Sequence, residues 1–457
     1  MPGIPFYDPG DKSVIEAGIA ELTARRAMIA QNWRWYNGDH PKHLKTKGNH
    51  DDNLTINFCR DAVDHTIAFL FPSLPNPFYK ETEDNRSADL DYLSVWTKAL
   101  WAQNNGASMM IAIASNGAVS GDVYLKVLPR PEEDVVYPRI INLNPANIVT
   151  YWQDDDFDNV LAHVTFYGGE EGTSNRHDVV HQEDGTWIMQ DWTSEKNDEG
   201  EVSWRSNGEE VVWEYAHPPV VHWQHLPRGN SYYGNHEFGH AYINDAANKV
   251  ASDIKRILRF HAFPRTIGIG FSTNSIQQTS VEGMWTIEEP GAQIFNLEMQ
   301  SDLSSSMTLL DKLEAIYFRQ SRVVVPPGNL EAFKGTTQLG IRASFMSMIS
   351  KNEVLRRNYS NGMSEVTATA QIVQSMEPIE PEWEWQNPLP FDEKDRLELI
   401  ERQRNMGIMS RRTAATRLGL NYDKEREYMM EEFEEDGVLL NGGGFAAVNT
   451  PVAANAE

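Results

Sequence analysis

The stretch that most constrains this chain is Tyr233 to Arg322, where a helical pattern, an extended excursion and a second helical pattern follow one another. Val250, Ile254, Ile257 and Leu258 recur at i, i+4, i+7 and i+8, one stripe of a helical period, and predict a helix from about Asn235 to Phe263. Pro264 stops it, because a proline removes an intrahelical hydrogen bond and its ring collides with the preceding turn. The run Ser304-Ser305-Ser306 offers N-caps for the second helix, whose stripe is Leu309, Leu313 and Ile316. Val323-Val324-Val325 then leads to Pro326-Pro327-Gly328, which ends the unit. At about 1.5 Å per residue the first helix is roughly 40 Å long. A helix pair of that length with a small β excursion at its far end is a stalk. Its apolar stripes need cover, and copies of the same chain are the simplest source.

The first of these helices opens with His236-Glu237-Phe238-Gly239-His240, a literal H-E-x-x-H. On an α-helix that spacing places two imidazoles one turn apart, able to share Zn²⁺, with the glutamate beside a metal-bound water. A catalytic zinc needs a third protein ligand. The extended motif requires Gly at 243 and His at 246, where the chain has Ile243 and Ala246, and no Glu occurs between Glu237 and Glu282. A zinc metallopeptidase using His236, His240 and Glu237 therefore stands as the alternative reading, behind one in which these are ordinary residues at a helix start. The pair His222 and His225 has no further partner in reach of its motif.

Around the stalk the chain reads as α+β. Ser13 to Trp35 is an amphipathic helix with Ile15, Ile19, Leu22, Ile29 and Trp33 on one face and Gly38 as its stop. Asn57 to Phe71 and Ser87 to Ala114 are helical, the latter ending at Asn116-Gly117, and Cys59 reads as a buried small hydrophobe. From Asp122 the period becomes two: Val123, Leu125 and Val127, then Ile140-Ile141, Ile148-Val149, and strand runs at 160–167, 187–192, 202–204, 211–215 and 220–223. Six tryptophans between Trp152 and Trp223 suit the core of a twisted sheet. A long helix is expected from Leu339 to Gln374, with Met346, Ile349, Leu355, Tyr359 and Met363 on its stripe. An acidic linker follows, then three short helices punctuated by Asp392, Gly407, Ser410 and Gly419, and a Gly/Ala/Asn-rich tail from Gly437 that reads as disordered.

A net charge of −26 argues against tight electrostatic capture of nucleic acid or an anionic membrane. One cysteine excludes an internal disulfide framework and points to a reducing compartment. The polar N-terminus shows no signal peptide, and the longest apolar run, Met109 to Ala114, is too short for a bilayer, so a soluble protein without a membrane partner is expected. No phosphate loop and no G-x-S-x-G elbow occur, and Gly268-Ile269-Gly270 lacks the third glycine of a dinucleotide site, so no cofactor is expected.

Several segments fall into one recognisable order. They are the N-terminal helix ending Trp35-Tyr36-Asn37-Gly38-Asp39-His40-Pro41, Asn57…Asp64…Phe69-Leu70-Phe71, Gly121-Asp122-Val123-Tyr124-Leu125-Lys126, Tyr233-Gly234…Asn244-Asp245-Ala246-Ala247-Asn248, and Met406-Gly407-Ile408-Met409-Ser410-Arg411-Arg412-Thr413-Ala414. Together the chain resembles the portal proteins of tailed bacteriophages, and the likeness covers most of it. One departure is Gln338-Leu339-Gly340, where the family often has Ser-Gly. The resemblance implies a non-enzymatic portal fold with a wing at 1–234, a stem helix at 235–263, a clip at 264–303 and a second stem helix at 304–322. A channel loop at 323–338, a long wing helix at 339–375, a linker at 376–391, a helical crown at 392–436 and the tail at 437–457 complete it. It also implies a homo-dodecamer at the capsid vertex of the virion, assembled in the host cytoplasm and threaded by double-stranded DNA without sequence preference. The implied partners are a terminase large subunit at the clip, the major capsid or scaffolding protein, and a tail adaptor protein. Val250, Ile254, Ile257, Leu309, Leu313 and Ile316 would then pack subunits together. Asn329, Lys334, Thr336, Thr337 and Gln338 would face the channel, with Lys334 on phosphate.

Overall fold

A computed structural model describes residues 3–45, 51–80, 87–130, 137–154, 156–168, 173–196, 202–215, 217–262, 265–269, 291, 293–297, 303–325, 338–389, 393–418, 420, 422 and 424–430. The chain divides into two units, Met1–Pro388 and Leu389–Glu457.

The first unit is built on a six-stranded sheet, ordered β1 (Gly3–Ile4), β5 (Ile148–Gln153), β6 (Asp156–Gly168), β7 (Ser174–His181), β8 (Trp187–Lys196), β9 (Val202–Trp213). Its strands pair antiparallel except β1 with β5. Side chains alternate across such a sheet, so it has two apolar faces. One face packs Val149, Tyr151, Ala162, Val164 and Val180 against Ile15 and Leu22 of α1 (Lys12–Tyr36). The other packs Ile148, Trp152, Val179, Trp187 and Trp213 against Tyr124 and Val220. Those two belong to a three-stranded sheet ordered β10 (Val220–Gln224), β3 (Asp122–Leu128), β4 (Arg139–Leu143). The unit also contains helices α2 (Phe58–Leu70), α3 (Ser87–Gln103), α4 (Gly106–Ser120) and α8 (Met346–Val373), with Cys59 buried.

Several boundaries differ from the sequence reading. The helical stretch after Ser87 breaks at Asn105, whose φ of 55° ends α3, and α4 runs past Gly117 to Ser120. Gly117 is there for packing: a Cβ on it would lie 2.6 Å from the Tyr359 hydroxyl. The runs at 202–204 and 211–215 are one strand, β9. Strand β7 was not foreseen, because its sequence is mostly polar and it buries an Arg176–Asp178 pair beside Val179 and Val180. The long helix is divided into α7 (Gln338–Ser344) and α8 at Phe345, whose ring stacks on Phe69 at 6.2 Å. Its buried stripe starts at Met348, and Met346 is exposed. Within the expected linker, β13 (Glu382–Glu384) pairs with β2 (Asn76–Phe78), and buried Trp383 donates to Ser364 Oγ at 3.0 Å.

The helix pair consists of α5 (Ala241–Ala262) and α6 (Ser304–Ser321), which pack together, with β11 (Arg265–Ile269) paired to β12 (Gln293–Leu297) between them in sequence. The N-cap of α6 is Leu303 and makes no side-chain bond, so the serine run forms the first turn rather than a cap. In the second unit, α9 (Glu393–Asn405) is followed by Gly407 at φ 73°, and Ser410 Oγ accepts from Thr413 N at 3.0 Å to cap α10 (Arg411–Arg417). Residues 424–430 are helical, and the tail from Gly437 lies outside the described residues.

Candidate functional site at the root of the helix pair

The H-E-x-x-H stretch does not lie on an α-helix. Glu237–His240 is a 3-10 turn, and His236 precedes it in extended conformation as N-cap, its Nδ1 accepting from Phe238 N at 3.1 Å. Four residues along an α-helix return to within about 40° of the same face, whereas four along a 3-10 helix end about 120° away. The two imidazoles therefore lose the shared face that a metal site needs. Among the described residues no group of three His, Cys, Asp or Glu is placed to hold a metal ion.

Glu237 is instead the centre of a buried ion pair. Its Oε2 lies 2.7 Å from Lys351 Nζ, and its Oε1 lies 3.3 Å from His225 Nε2. Lys351 Nζ also donates to Ser321 O at 3.0 Å and Thr66 Oγ1 at 3.2 Å, so all three ammonium hydrogens are used. His225 Nδ1 lies 2.9 Å from the Tyr359 hydroxyl, which fits a tautomer with Nε2–H donating to Glu237. Burial pushes the Glu237 carboxyl up, but the Lys351 ammonium and the His225 hydrogen bond more than offset it and hold the pKa at about 2. A carboxylate so engaged is a tie rod, not a general base. It joins the start of α5 to the end of α6, to α2, to α8 and to the end of β10.

A second cluster fixes the approach to α5. Buried Asp122 accepts from His222 Nε2 at 3.0 Å, Gly234 N at 2.9 Å and Arg25 Nη2 at 3.3 Å. The Arg25 guanidinium sits 3.6 Å over the Tyr233 ring. Gly121, at φ 93°, and Gly234 meet backbone to backbone, and a Cβ on Gly234 would lie 2.3 Å from Gly121 O.

Above this root, α5 is laced to the extended segment preceding α2. Asn244 accepts from Cys59 N at 3.1 Å and donates to Ile56 O at 2.8 Å. Asn248 accepts from Ile56 N at 2.8 Å and Ser252 from Leu54 N at 2.9 Å, while Arg256 and Arg259 reach Asp52 at 3.5 and 2.8 Å. The spacing has a metric reason. Four helical residues advance about 6 Å and two extended residues about 6.6 Å, so every fourth side chain of α5 meets every second residue of the segment. His40 adds a contact to Asp245 at 3.0 Å.

The polar face of α5 is thus the one its own chain covers. Val250, Ile254, Ile257, Leu313 and Ile316 are half-buried, and Leu309 is exposed, as are Tyr242, Leu258 and Met307. Asn329, Lys334, Thr336 and Thr337 lie outside the described residues, and Gln338 begins α7. The sequence reading passed over Lys351, whose signal was a cation on the apolar stripe of α8 between Met348 and Leu355.

The geometry defines a class of protein whose buried charge serves architecture: a mixed α/β body that roots two long helices by ion pairs and leaves their apolar stripes only partly covered. The family model described as Phage portal protein, SPP1 Gp6-like matches residues 16–437, and the chain belongs to that family. Its function is that of a portal protein. No curated protein matches the chain. Among solved structures it is similar to a chain titled "Neck of empty GTA particle computed with C6 symmetry", at 15% identity and a TM-score of 0.45, covering 79% of this chain and 89% of that one.

Proposed function

We propose that this portal protein works as the subunit of a closed ring, twelve copies around a channel for double-stranded DNA at the capsid vertex. Membership of the portal family supports the reading. The observation that carries it is the pattern on α5 and α6, whose polar side is laced to the same chain while Tyr242, Leu258, Met307 and Leu309 stay exposed. Sister subunits would cover those side chains, with Val250, Ile254, Ile257, Leu313 and Ile316 at the seam. In this reading residues 1–234 and 339–375 form the wing, α5 and α6 the stem, 264–303 the clip that receives the terminase, and 392–436 the crown. The major capsid or scaffolding protein and a tail adaptor would engage other faces of the ring. An acidic chain suits a channel through which DNA slides, because strong phosphate neutralisation would hold the duplex in place. Residues 329–338 would line the narrowest part, with Lys334 on phosphate. Native mass measurement together with single-particle class averages tests the ring. Twelvefold rings with a central hole are expected, and a monomer without any hollow assembly overturns the reading. Packaging of DNA at unaltered rate and length by a Lys334→Ala variant would remove the lysine contact alone.

A further inference from the structure

Residues 377–388, which end the first unit, run back along α8 as a strap. Ile379 N donates to Gln371 Oε1 at 2.7 Å, Trp383 Nε1 to Ser364 Oγ at 3.0 Å and Trp385 Nε1 to Ser360 Oγ at 2.8 Å, while Gln386 O accepts from Arg356 Nη2 at 2.6 Å. The fit is again metric: the helix from Arg356 to Gln371 rises about 22 Å, and an extended chain from Ile379 to Gln386 spans about 23 Å. Each of these bonds ends on a helix side chain, so the strap can leave without breaking a bond inside α8. Two features work against closure. The chain turns back at Ser375, whose φ of 57° is the left-handed conformation that glycine usually supplies after a helix, and Met376 N closes the turn on Gln371 O at 2.9 Å. The strap is also acidic, with Glu377, Glu380, Glu382 and Glu384, of which Glu382 pairs with Lys80. The Glu380 carboxylate lies close enough to Glu365 of α8 for the two to repel. Tyr232 is the other titratable group facing Glu365, and among the described residues no cation pairs with it. Burial, with Glu380 adding to it, pushes the Glu365 carboxyl up to about 7.

We propose that residues 377–388 open as a unit about Ser375 while α8 stays folded, and that protonation of Glu365 holds them shut. Opening adds the length of the strap to the free chain between α8 and the second unit, so it sets the reach of residues 389–457 and leaves the Glu237–Lys351 pair in place. The sign follows from burial. An ionised Glu365 loses water and meets Glu380 only when the strap is closed, so its closed-state value is the higher one. The favourable contribution to closure is therefore fully present below pH 4.5 and is lost as pH rises through 7.

Hydrogen exchange of the full chain at fixed protomer concentration, resolved by mass spectrometry and corrected for intrinsic rates at each pH, tests it. At pH 8 residues 379–386 should be protected about tenfold less than residues 360–372 of α8. From pH 8 to 6 the protection of the strap should rise about tenfold, the most that one proton can give over that interval. Glu365→Gln, neutral at every pH, should raise the protection at pH 8 and abolish the rise. Ser375→Gly, which removes the β-carbon from the left-handed turn, should raise protection about threefold at both pH values. Glu377→Gln, at an exposed position of the same strap, should leave the pH dependence unchanged. Equal protection of strap and α8, or strap protection that does not vary with pH in the unaltered chain, would overturn the proposal. An undiminished rise in Glu365→Gln would assign the response to another group and overturn it as well.

Discussion

Replacing Lys351 with methionine asks whether charge holds the root of the helix pair. Methionine keeps much of the volume but strips Glu237 of its closest donor and leaves Ser321 O and Thr66 Oγ1 without theirs. Removing one partner of a buried pair costs about 3–5 kcal/mol. The pH-linked part is set by Lys351 and His225 together against burial: the Glu237 pKa falls from 4.5 to about 2, and at 1.36 kcal/mol per pH unit that is about 3 kcal/mol. Because the folded value is the lower one, this stability is present above pH 4.5 and is lost as pH falls through 2. Without Lys351, burial dominates and the carboxyl rises above its ordinary value, so the Lys351→Met protein should gain stability as pH falls from 7 to 5. Urea unfolding at fixed protomer concentration, followed by tryptophan emission, reads the first unit alone, since all 13 tryptophans lie at or before Trp385. A Glu237→Gln/Lys351→Met double variant should recover at least half of the loss. A single-variant cost under about 1 kcal/mol at pH 7, with no change of slope between pH 7 and 5, would refute the tie-rod account.

Three further outcomes follow from named contacts. Asn248→Ala removes the acceptor for Ile56 N–H and should cost about 1–3 kcal/mol, with faster hydrogen exchange at the Ile56 amide. Gly362→Ala would place a Cβ 2.2 Å from Trp223 Cε3, and because the ring is enclosed by α8 and β10 the overpacking should cost about 1–3 kcal/mol and alter the emission spectrum. Lys126, between two sheets with its Nζ 2.7 Å from His177 Nε2, has its pKa lowered by burial from 10.5 to about 8. The unfolded chain binds the extra proton between those values, so wild-type stability should rise by about 2 kcal/mol from pH 7.5 to 9.5. Urea midpoints of Lys126→Met should lack that rise.

The sequence showed the helix pair, the amphipathic first helix and most strands because each rests on local periodicity: Ile15, Leu22 and Ile29 are buried as their spacing requires. Gly407 and Ser410 punctuate the last helices where expected, since caps and stops are settled within one turn of chain. The order of motifs was enough to point to the family, which the match over residues 16–437 established. Other features were invisible for a physical reason. That Glu237, in a 3-10 turn rather than an α-helix, pairs with Lys351, 114 residues away, and with His225 is not written in the motif His236-Glu237-Phe238-Gly239-His240. Gly117 was read as a stop although its neighbour is Tyr359, and the polar strand β7 is held by a buried ion pair that no periodicity reveals. Local pattern decided most of the segments that coil, extend and turn, and which helix faces are apolar. Tertiary structure alone decided that α5 spends its polar face on residues 52–59 and leaves its apolar stripe only half-buried, because that choice is made by the matching rise of a helix and an extended segment brought side by side.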